Sequence, residues 1–151
     1  MNTGDRVPDF TATDQTGNEV TFDEVRGGSP AVVFFYPKAF TPGCTRESCH
    51  FRDLAGEFEE VGARRIGISA DDVAKLADFD SENSLGYPLL SDTDRRIAKI
   101  FGVKRPGPIV NKRQTFVVGA DGTLIATIAS ELNMEKHADE ALEVLRSLPA
   151  A

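Results

Sequence analysis

The run of apolar residues at positions 31–36, with the sequence AVVFFY, constrains the fold more than any other part of the chain. It consists mostly of β-branched and aromatic residues, which favour extended structure. Because no polar residue interrupts the run, both faces of the strand must be covered, as in the parallel part of an α/β sheet. Pro37 follows directly and ends the strand. The run therefore predicts a central strand in a sheet with helices on both faces.

The rest of the chain alternates between strand and helix patterns. An N-terminal hairpin is predicted from two short strands joined by a turn at residues 14–17. The predicted strands are residues 10–13, 19–22, 31–36, 65–69, 88–90, 115–118 and 124–129, and the predicted helices cover residues 41–61, a segment from about 73, residues 97–101 and a last segment that includes 138–148. This order predicts an α/β protein with a mixed central sheet flanked by helices on both faces and an N-terminal β-hairpin extension. It is compatible with a thioredoxin-like fold, which periodicity alone does not single out.

Length and charge limit the classes of protein to consider. The 151 residues are expected to form a single domain, residues 1–151, with one core. The net charge of −7 argues against a nucleic acid or an anionic membrane as the main partner. No apolar run is long enough to cross a bilayer, and the first ten residues lack the pattern of a signal peptide. We therefore expect a cytoplasmic location, where a pair of cysteines is more often reactive than structural.

A basic segment interrupts this acidic average. Between Arg95 and Ala120 there are seven Lys or Arg residues and no acidic residue. Such a segment is most often a solvated face, but it is also suited to form a loop that stabilises an anion. Both interpretations remain open at this point.

The sequence Thr41-Pro42-Gly43-Cys44 predicts a reactive cysteine at the start of a helix. Thr41 is a favoured N-cap, and proline at the first helical position loses only an unpaired N–H. Cys44 is then the third helical residue, where free backbone N–H groups and the helix dipole stabilise a thiolate. The site follows a buried strand, so the sulfur is expected to face a region that a small molecule can reach. A cysteine that serves only as a small buried apolar residue is the alternative.

The second cysteine, Cys49, does not make a convincing metal site. Iron–sulfur clusters need four thiolates, and the chain has two cysteines. Zinc would need His50 and His137 in addition, but the adjacent residues Cys49 and His50 point about 100° apart on a helix. His50 and His137 are therefore interpreted as surface or helix-packing residues, and neither a metal nor an organic cofactor is expected.

The residues around Cys44 resemble the active-site motif of the peroxiredoxins: proline, three residues, threonine, two residues, cysteine. The longer segment from Phe35 to Cys49 is similar to the peroxiredoxin Q group, also called bacterioferritin comigratory proteins. Weaker similarity extends over nearly the whole chain, and Ala39 and Phe40 depart from the acidic or polar residues that are frequent in relatives. The resemblance implies a thioredoxin-like fold.

The resemblance also implies a role for five residues. Cys44 matches the peroxidatic cysteine and Cys49 the resolving cysteine. Thr41 matches the threonine whose hydroxyl binds the peroxide and the thiolate, and Pro37 matches the proline that shields the sulfur from water. Arg113 matches the arginine that stabilises the thiolate and the departing oxygen.

The implied function is a thiol-dependent peroxidase that reduces hydrogen peroxide and organic hydroperoxides in antioxidant defence. Cys44 becomes a sulfenic acid, Cys49 condenses with it to a disulfide, and thioredoxin or a similar dithiol protein reduces that disulfide. The same resemblance implies neither a metal nor an organic cofactor, and it favours a monomer, with a dimer as the alternative. The alternatives are a thiol–disulfide oxidoreductase, which would favour a Cys-x-x-Cys pair, a binding or chaperone module, and a structural disulfide protein.

Helix geometry adds one expectation about motion. On one regular helix the Cα atoms of Cys44 and Cys49 lie about 8.7 Å apart, on faces about 140° apart. A disulfide requires Cα atoms within about 7 Å. We therefore expect an intact helix from near Pro42 in the reduced state and an unwound segment 44–50 in the disulfide state.

Overall fold

The apolar run forms a strand at the centre of a seven-stranded sheet in the computed structural model, which describes residues 1–148. The strands are β1 (Thr11–Asp14), β2 (Glu19–Thr21), β3 (Ala31–Phe35), β4 (Arg64–Ser69), β5 (Leu89–Ser91), β6 (Gln114–Val118) and β7 (Leu124–Ala129). The helices are α1 (Phe22–Arg26), α2 (Pro42–Asp53), α3 (Ala55–Glu60), α4 (Val73–Asn83), α5 (Arg96–Phe101) and α6 (Met134–Arg146). The strand order is β2-β1-β5-β4-β3-β6-β7.

The sheet is mixed, as predicted. Strand β3 pairs in parallel with β4 and antiparallel with β6, while the hairpin β1–β2 extends the sheet through an antiparallel pairing with β5. All five residues of β3 are completely buried. Val32 and Phe34 belong to a core cluster with residues of α2, α3, α4 and α6, whereas Val33 and Phe35 belong to a second cluster with residues of α1 and α5. The predicted cover of helices on both faces is confirmed.

One strand prediction and one helix prediction were wrong in detail. Phe22 was assigned to a strand, but it begins the short helix α1, because Thr21 and Glu24 form a capping box at that point. The helix predicted over residues 41–61 is two helices, since the chain breaks at Leu54 (φ −94°, ψ 20°). The apolar spacing continues across this break, so the pattern alone predicts one helix.

The topology brings the two ends of the predicted site together. Because β6 runs antiparallel to β3, Gln114 at the start of β6 pairs with Phe35 at the end of β3. Arg113, directly before β6, therefore lies beside the loop that leads from β3 into α2. Asp71, just beyond β4, holds this loop, since the backbone N–H of Ala39 donates to Asp71 Oδ2 over 2.8 Å.

None of the helices in residues 1–148 is sufficiently long and apolar to span a membrane.

Gly67 in the middle of β4 provides a test of how tightly the centre of the sheet is packed. A Cβ atom at this position would lie 2.9 Å from Leu89 Cδ2 and 3.0 Å from Phe34 Cζ. We expect Gly67→Ala to lower the free energy of unfolding by about 1–3 kcal/mol, since a packed core has no space for an added methyl group. Urea unfolding followed by circular dichroism measures the change.

Gly56→Ala is the matched control, because a Cβ at Gly56 in helix α3 meets no atom within 4 Å. Alanine is the better helix former, so this variant should gain up to about 0.5–1 kcal/mol. Equal stability of Gly67→Ala and the wild type would contradict the close packing described here.

Candidate active site

Cys44 occupies the position predicted for it, the third residue of helix α2. Thr41 is the N-cap residue with extended backbone angles, and Pro42 is the first helical residue. The sulfur accepts two hydrogen bonds, from the backbone N–H of Lys38 over 3.5 Å and from Nη2 of Arg113 over 3.3 Å. Donors directed at a sulfur stabilise the thiolate relative to the thiol. The site therefore has the features of an activated nucleophile.

The sulfur is not open to solvent, which corrects one expectation. Cys44 has 0% exposure, so a small molecule does not reach its sulfur freely in this conformation. Gly43 contributes to this closure, because a Cβ atom there would lie 3.3 Å from both Arg113 Nη2 and Met134 Sδ. The missing side chain of Gly43 thus makes room for Arg113 beside the sulfur.

Thr41 lies at the expected position but makes a different contact. Its hydroxyl donates to the carbonyl oxygen of Lys38 over 2.7 Å, and it forms no side-chain cap with the helix. No hydrogen bond joins it to Cys44 in the part of the chain that the structure describes. The Thr41 hydroxyl closes the loop on itself and keeps oxygen lone pairs free to accept a hydrogen bond. Pro37 is half-buried and directly precedes Lys38, whose N–H points to the sulfur.

Arg113 decides between the two interpretations of the basic segment. It is 6% exposed, and its planar side chain binds two groups, since Nη2 donates to Cys44 and Nη1 donates to Glu47 Oε1 over 2.7 Å. Although burial by itself disfavours the charge, the neighbouring Glu47 and Cys44 raise the pKa of Arg113 above its usual value. Other members of the segment, such as Lys104 and Lys112, are exposed. The segment is therefore mostly a solvated face with one anion-stabilising residue.

Glu47 is a site residue that the sequence analysis missed. It is completely buried, one turn after Cys44 on the same face of α2. Burial raises the pKa of Glu47 to about 8, although the charge of Arg113 acts in the opposite direction. A glutamate three residues after a reactive cysteine was a usable signal, because residues at that spacing lie on one side of a helix.

His137 was also interpreted incorrectly in part. It is not a surface residue: it is 0% exposed, and Nδ1 lies 2.7 Å from Thr115 Oγ1 and 3.6 Å from Glu47 Oε2. His50 does lie near the surface, where Nε2 is 2.8 Å from Asp139 Oδ1. No group of three or more His, Cys, Asp or Glu side chains suited to a metal ion is found within residues 1–148.

Cys49 lies five residues after Cys44 on helix α2, on a face about 140° away. Both cysteines are free thiols, and Cys49 is half-buried with its Sγ 3.6 Å from Asn83 Oδ1 at the end of α4. Tyr87 holds the neighbouring turn, since its hydroxyl donates to the Ser48 carbonyl over 2.7 Å. The structure thus describes a reduced state with α2 intact from Pro42, as expected.

Comparisons with known proteins give a consistent result. The sequence profile of the AhpC/TSA family matches residues 3–127. A Mycobacterium tuberculosis protein whose name places it among the peroxiredoxins is 50% identical over 151 residues, which are 98% of this chain and 98% of that protein. The chloroplastic peroxiredoxin Q of Arabidopsis thaliana is 40% identical over 150 residues, which are 97% of this chain and 68% of that protein.

Solved structures are similar over almost the whole chain. Peroxidoxin BcpB from Mycobacterium tuberculosis has a TM-score of 0.95 and 48% identity, with 99% of each chain covered. The bacterioferritin comigratory protein of Xanthomonas campestris, studied for alkyl peroxide reduction, has a TM-score of 0.84 and 28% identity, with 91% of this chain and 90% of that chain covered.

The bidentate contact of Arg113 leads to a prediction for Cys44. We expect Arg113→Lys to slow alkylation of Cys44 by iodoacetamide at pH 7 by about 10-fold to 100-fold. The reason is that a single ammonium group cannot bind both the sulfur and Glu47. The size of the effect follows from a hydrogen bond to a charged group, which is worth about 1.5–3 kcal/mol. Mass spectrometry of the two cysteine peptides measures each rate separately. The matched control is Arg46→Lys, which changes an arginine on the same helix whose side chain is 69% exposed. An equal effect of the two substitutions on Cys44 would rule out a specific role for Arg113.

Proposed function

The chain belongs to the AhpC/TSA family, within its peroxiredoxin Q and bacterioferritin comigratory protein group, and on that premise we propose which residues carry out its reaction. The protein is a thiol-dependent peroxidase with a thioredoxin-like fold. The observation that best supports the assignment of residues is the pair of donors, Lys38 N–H and Arg113 Nη2, directed at the Cys44 sulfur.

In the first step, the Cys44 thiolate attacks one oxygen of the peroxide. A sulfur–oxygen bond forms while the oxygen–oxygen bond breaks, and the second oxygen leaves as water or an alcohol after it takes up a proton. Cys44 becomes a sulfenic acid. Arg113 stabilises the thiolate and the charge that develops on the departing oxygen. Thr41, whose own proton is directed at Lys38, accepts a hydrogen bond from the peroxide and so orients it.

Pro37 has a supporting role in this proposal. It precedes Lys38 and fixes the backbone angle at the point where the N–H of Lys38 turns towards the sulfur. Its ring also limits the access of water to the sulfur. Pro37 thus preserves both the donor and the dry environment that the thiolate needs.

In the second step, Cys49 attacks the sulfenic acid of Cys44 and releases water, and the two sulfurs form a disulfide. A dithiol protein of the thioredoxin type then reduces this disulfide by exchange. The cycle thus has two substrates, a peroxide and a protein dithiol. The peroxide is either hydrogen peroxide or an organic hydroperoxide. Since the cycle returns both cysteines to free thiols, it suits a reducing compartment such as the cytoplasm.

The remaining expectations are proposals about the whole molecule. We propose that residues 1–151 function as a single domain and as a monomer, without a nucleic acid or membrane partner. The single domain is supported by one continuous sheet that contains every described strand, and the absence of a nucleic acid or anionic membrane partner by the net charge of −7.

Consumption of peroxide in the presence of thioredoxin and its reductase tests the assignment of the two cysteines. The wild-type protein should turn over continuously, whereas Cys44→Ser should not react. Cys49→Ser should consume one equivalent of peroxide per chain and then stop, because its sulfenic acid has no resolving partner. Continuous turnover of Cys49→Ser would show that Cys49 is not required, and activity of Cys44→Ser would place the nucleophile elsewhere.

Hydrogen exchange tests the motion that the disulfide requires. The Cα atoms of Cys44 and Cys49 on helix α2 are about 8.7 Å apart, beyond the roughly 7 Å limit of a disulfide. We expect the disulfide form to lose amide protection over residues 45–50 and to keep it from Phe51 onward, since Phe51 stacks on Phe34 at 4.1 Å between ring centroids. The reduced protein should be protected from Thr45 onward, because the Thr45 N–H donates to the Thr41 carbonyl over 2.9 Å and so begins the hydrogen bonds of α2.

Cys49→Ser treated with one equivalent of peroxide is the control for this experiment. It is oxidised at Cys44 without forming the disulfide, so residues 45–50 should keep more protection than in the disulfide form. Equal protection of this segment in the reduced protein and in a verified Cys44–Cys49 disulfide would contradict local unwinding.

A further inference from the structure

A chain of buried polar groups extends from the reactive sulfur into the interior. Arg113 contacts Cys44 with Nη2 and Glu47 Oε1 with Nη1. The second carboxyl oxygen, Glu47 Oε2, is buried and has no hydrogen-bond partner among the described residues. The polar atom that it faces is Nδ1 of His137, at 3.6 Å. A buried carboxylate oxygen without a donor is unfavourable, so this contact needs an explanation.

The hydrogen bonds of His137 leave one ring position undetermined. Nε2 lies 2.8 Å from the carbonyl oxygen of Ser130, which only accepts, so Nε2 carries a proton. Nδ1 lies 2.7 Å from Thr115 Oγ1, and a hydroxyl is able either to donate or to accept. One additional proton on this pair is compatible with the contact to Thr115 in either position: with the proton on Nδ1 the Thr115 hydroxyl accepts, and with the proton on Glu47 Oε2 the hydroxyl donates to Nδ1.

The charges of the buried groups also favour one additional proton on the Glu47–His137 pair. With Cys44 as a thiolate, Arg113 charged, Glu47 ionised and His137 neutral, the buried centre has one excess negative charge. The other ionisable groups that act on His137 are Glu131 in the preceding loop and Lys136 on its own helix, which keep 47% and 39% of their side chains exposed. Neither is buried with the pair. One proton shared by Glu47 and His137 makes the buried centre neutral.

We propose that Glu47 and His137 share one proton while Cys44 is a thiolate, which makes His137 a positioning residue for the peroxidase reaction. This inference rests on the proposed function, in which the Cys44 thiolate is the nucleophile. The thiol proton of Cys44 is released to solvent, and the shared proton is taken up from solvent. With the carboxyl neutralised, the charge of Arg113 acts on the thiolate rather than being divided between two anions.

The ionisation behaviour of the two residues supports this arrangement. Burial raises the pKa of Glu47 to about 8, in spite of Arg113, and burial lowers the pKa of His137. The shared proton therefore lies mainly on the carboxyl, while the Thr115 hydroxyl donates to Nδ1 of the neutral histidine ring. Because the two groups are coupled, the proton belongs to the pair.

Infrared spectroscopy of protein labelled with ¹³C-glutamate detects the shared proton directly. The folded wild-type protein at pH 7 should show the C=O absorption of a protonated glutamate under conditions where Cys44 alkylates as a thiolate. Glu47→Gln should lack this band, and labelling glutamate alone avoids interference from the buried aspartate Asp92. Absence of the band in the wild type would overturn the proposal.

A double-mutant cycle tests whether His137 acts through Glu47. His137→Ala admits water to Glu47 Oε2 and so favours the carboxylate, which competes for Arg113. We expect the midpoint of the pH profile of Cys44 alkylation to rise by about one unit, a roughly tenfold change in the thiolate equilibrium. In the Glu47→Gln background the same replacement should leave the midpoint of that background unchanged. An equal shift in both backgrounds would overturn the proposed route through Glu47.

His50→Ala is the matched control, because it removes the other histidine of the chain together with its contact to Asp139. It should leave the midpoint at the wild-type value, and a shift as large as that of His137→Ala would overturn a specific role for His137. Neither readout uses peroxide or thioredoxin. Failure of the proposed function would appear as absent peroxide consumption. Failure of this inference would appear as an absent C=O band, or as equal effects of His137→Ala in the wild-type and Glu47→Gln backgrounds.

Discussion

The two hydrogen bonds from the guanidinium of Arg113, one to the Cys44 sulfur and one to Glu47, organise this end of the molecule. They depend on the antiparallel pairing of β6 with β3, which places Arg113 beside the start of α2, and on Gly43, whose small size lets the guanidinium approach. A buried arginine is stable only when its charge is matched and its donors are bonded, and here the Cys44 sulfur and Glu47 each accept a hydrogen bond from it. The protonation of Glu47 therefore affects both the reactivity of the sulfur and the stability of the site.

This interaction connects the chemistry of the first step with the motion of the second. Cys44 and Glu47 lie in the same turns of α2, which must unwind before Cys49 reaches Cys44. Unwinding withdraws both partners from Arg113, in addition to breaking the contacts of the Cys49 turn with Asn83 and Tyr87. The contacts that favour attack on the peroxide thus oppose formation of the disulfide. Stronger binding of Arg113 to Cys44 and Glu47 would speed the attack on the peroxide and slow the formation of the disulfide.

Sequence patterns predicted the elements that local chemistry determines. The apolar run of β3, the start of α2 at Pro42 and the end of α5 before Gly102 follow from burial, capping and backbone freedom, which neighbouring residues fix. Cys44 and Arg113 were found through a motif. Glu47 and His137 were missed, because a charged residue on a helix ordinarily faces solvent, and no local signal shows that Glu47 meets an arginine 66 positions away. Such contacts follow from the order of strands in the sheet.

The parts of the site differ in how firmly the fold holds them. Arg113 precedes β6 and Asp71 follows β4, so both are fixed by the central sheet, and Asp71 is held further by the hydroxyl of Ser69 over 2.8 Å. Cys44, Glu47 and Cys49 all lie on α2, whose first turns hold poor helix formers such as Gly43 and Thr45. The sheet therefore keeps the donors in place while the helix that carries the sulfurs unwinds. In the proposed cycle, the segment refolds when a dithiol reduces the disulfide, and the sheet-anchored Arg113 and the Lys38 loop that Asp71 holds provide the donors to which the Cys44 sulfur returns.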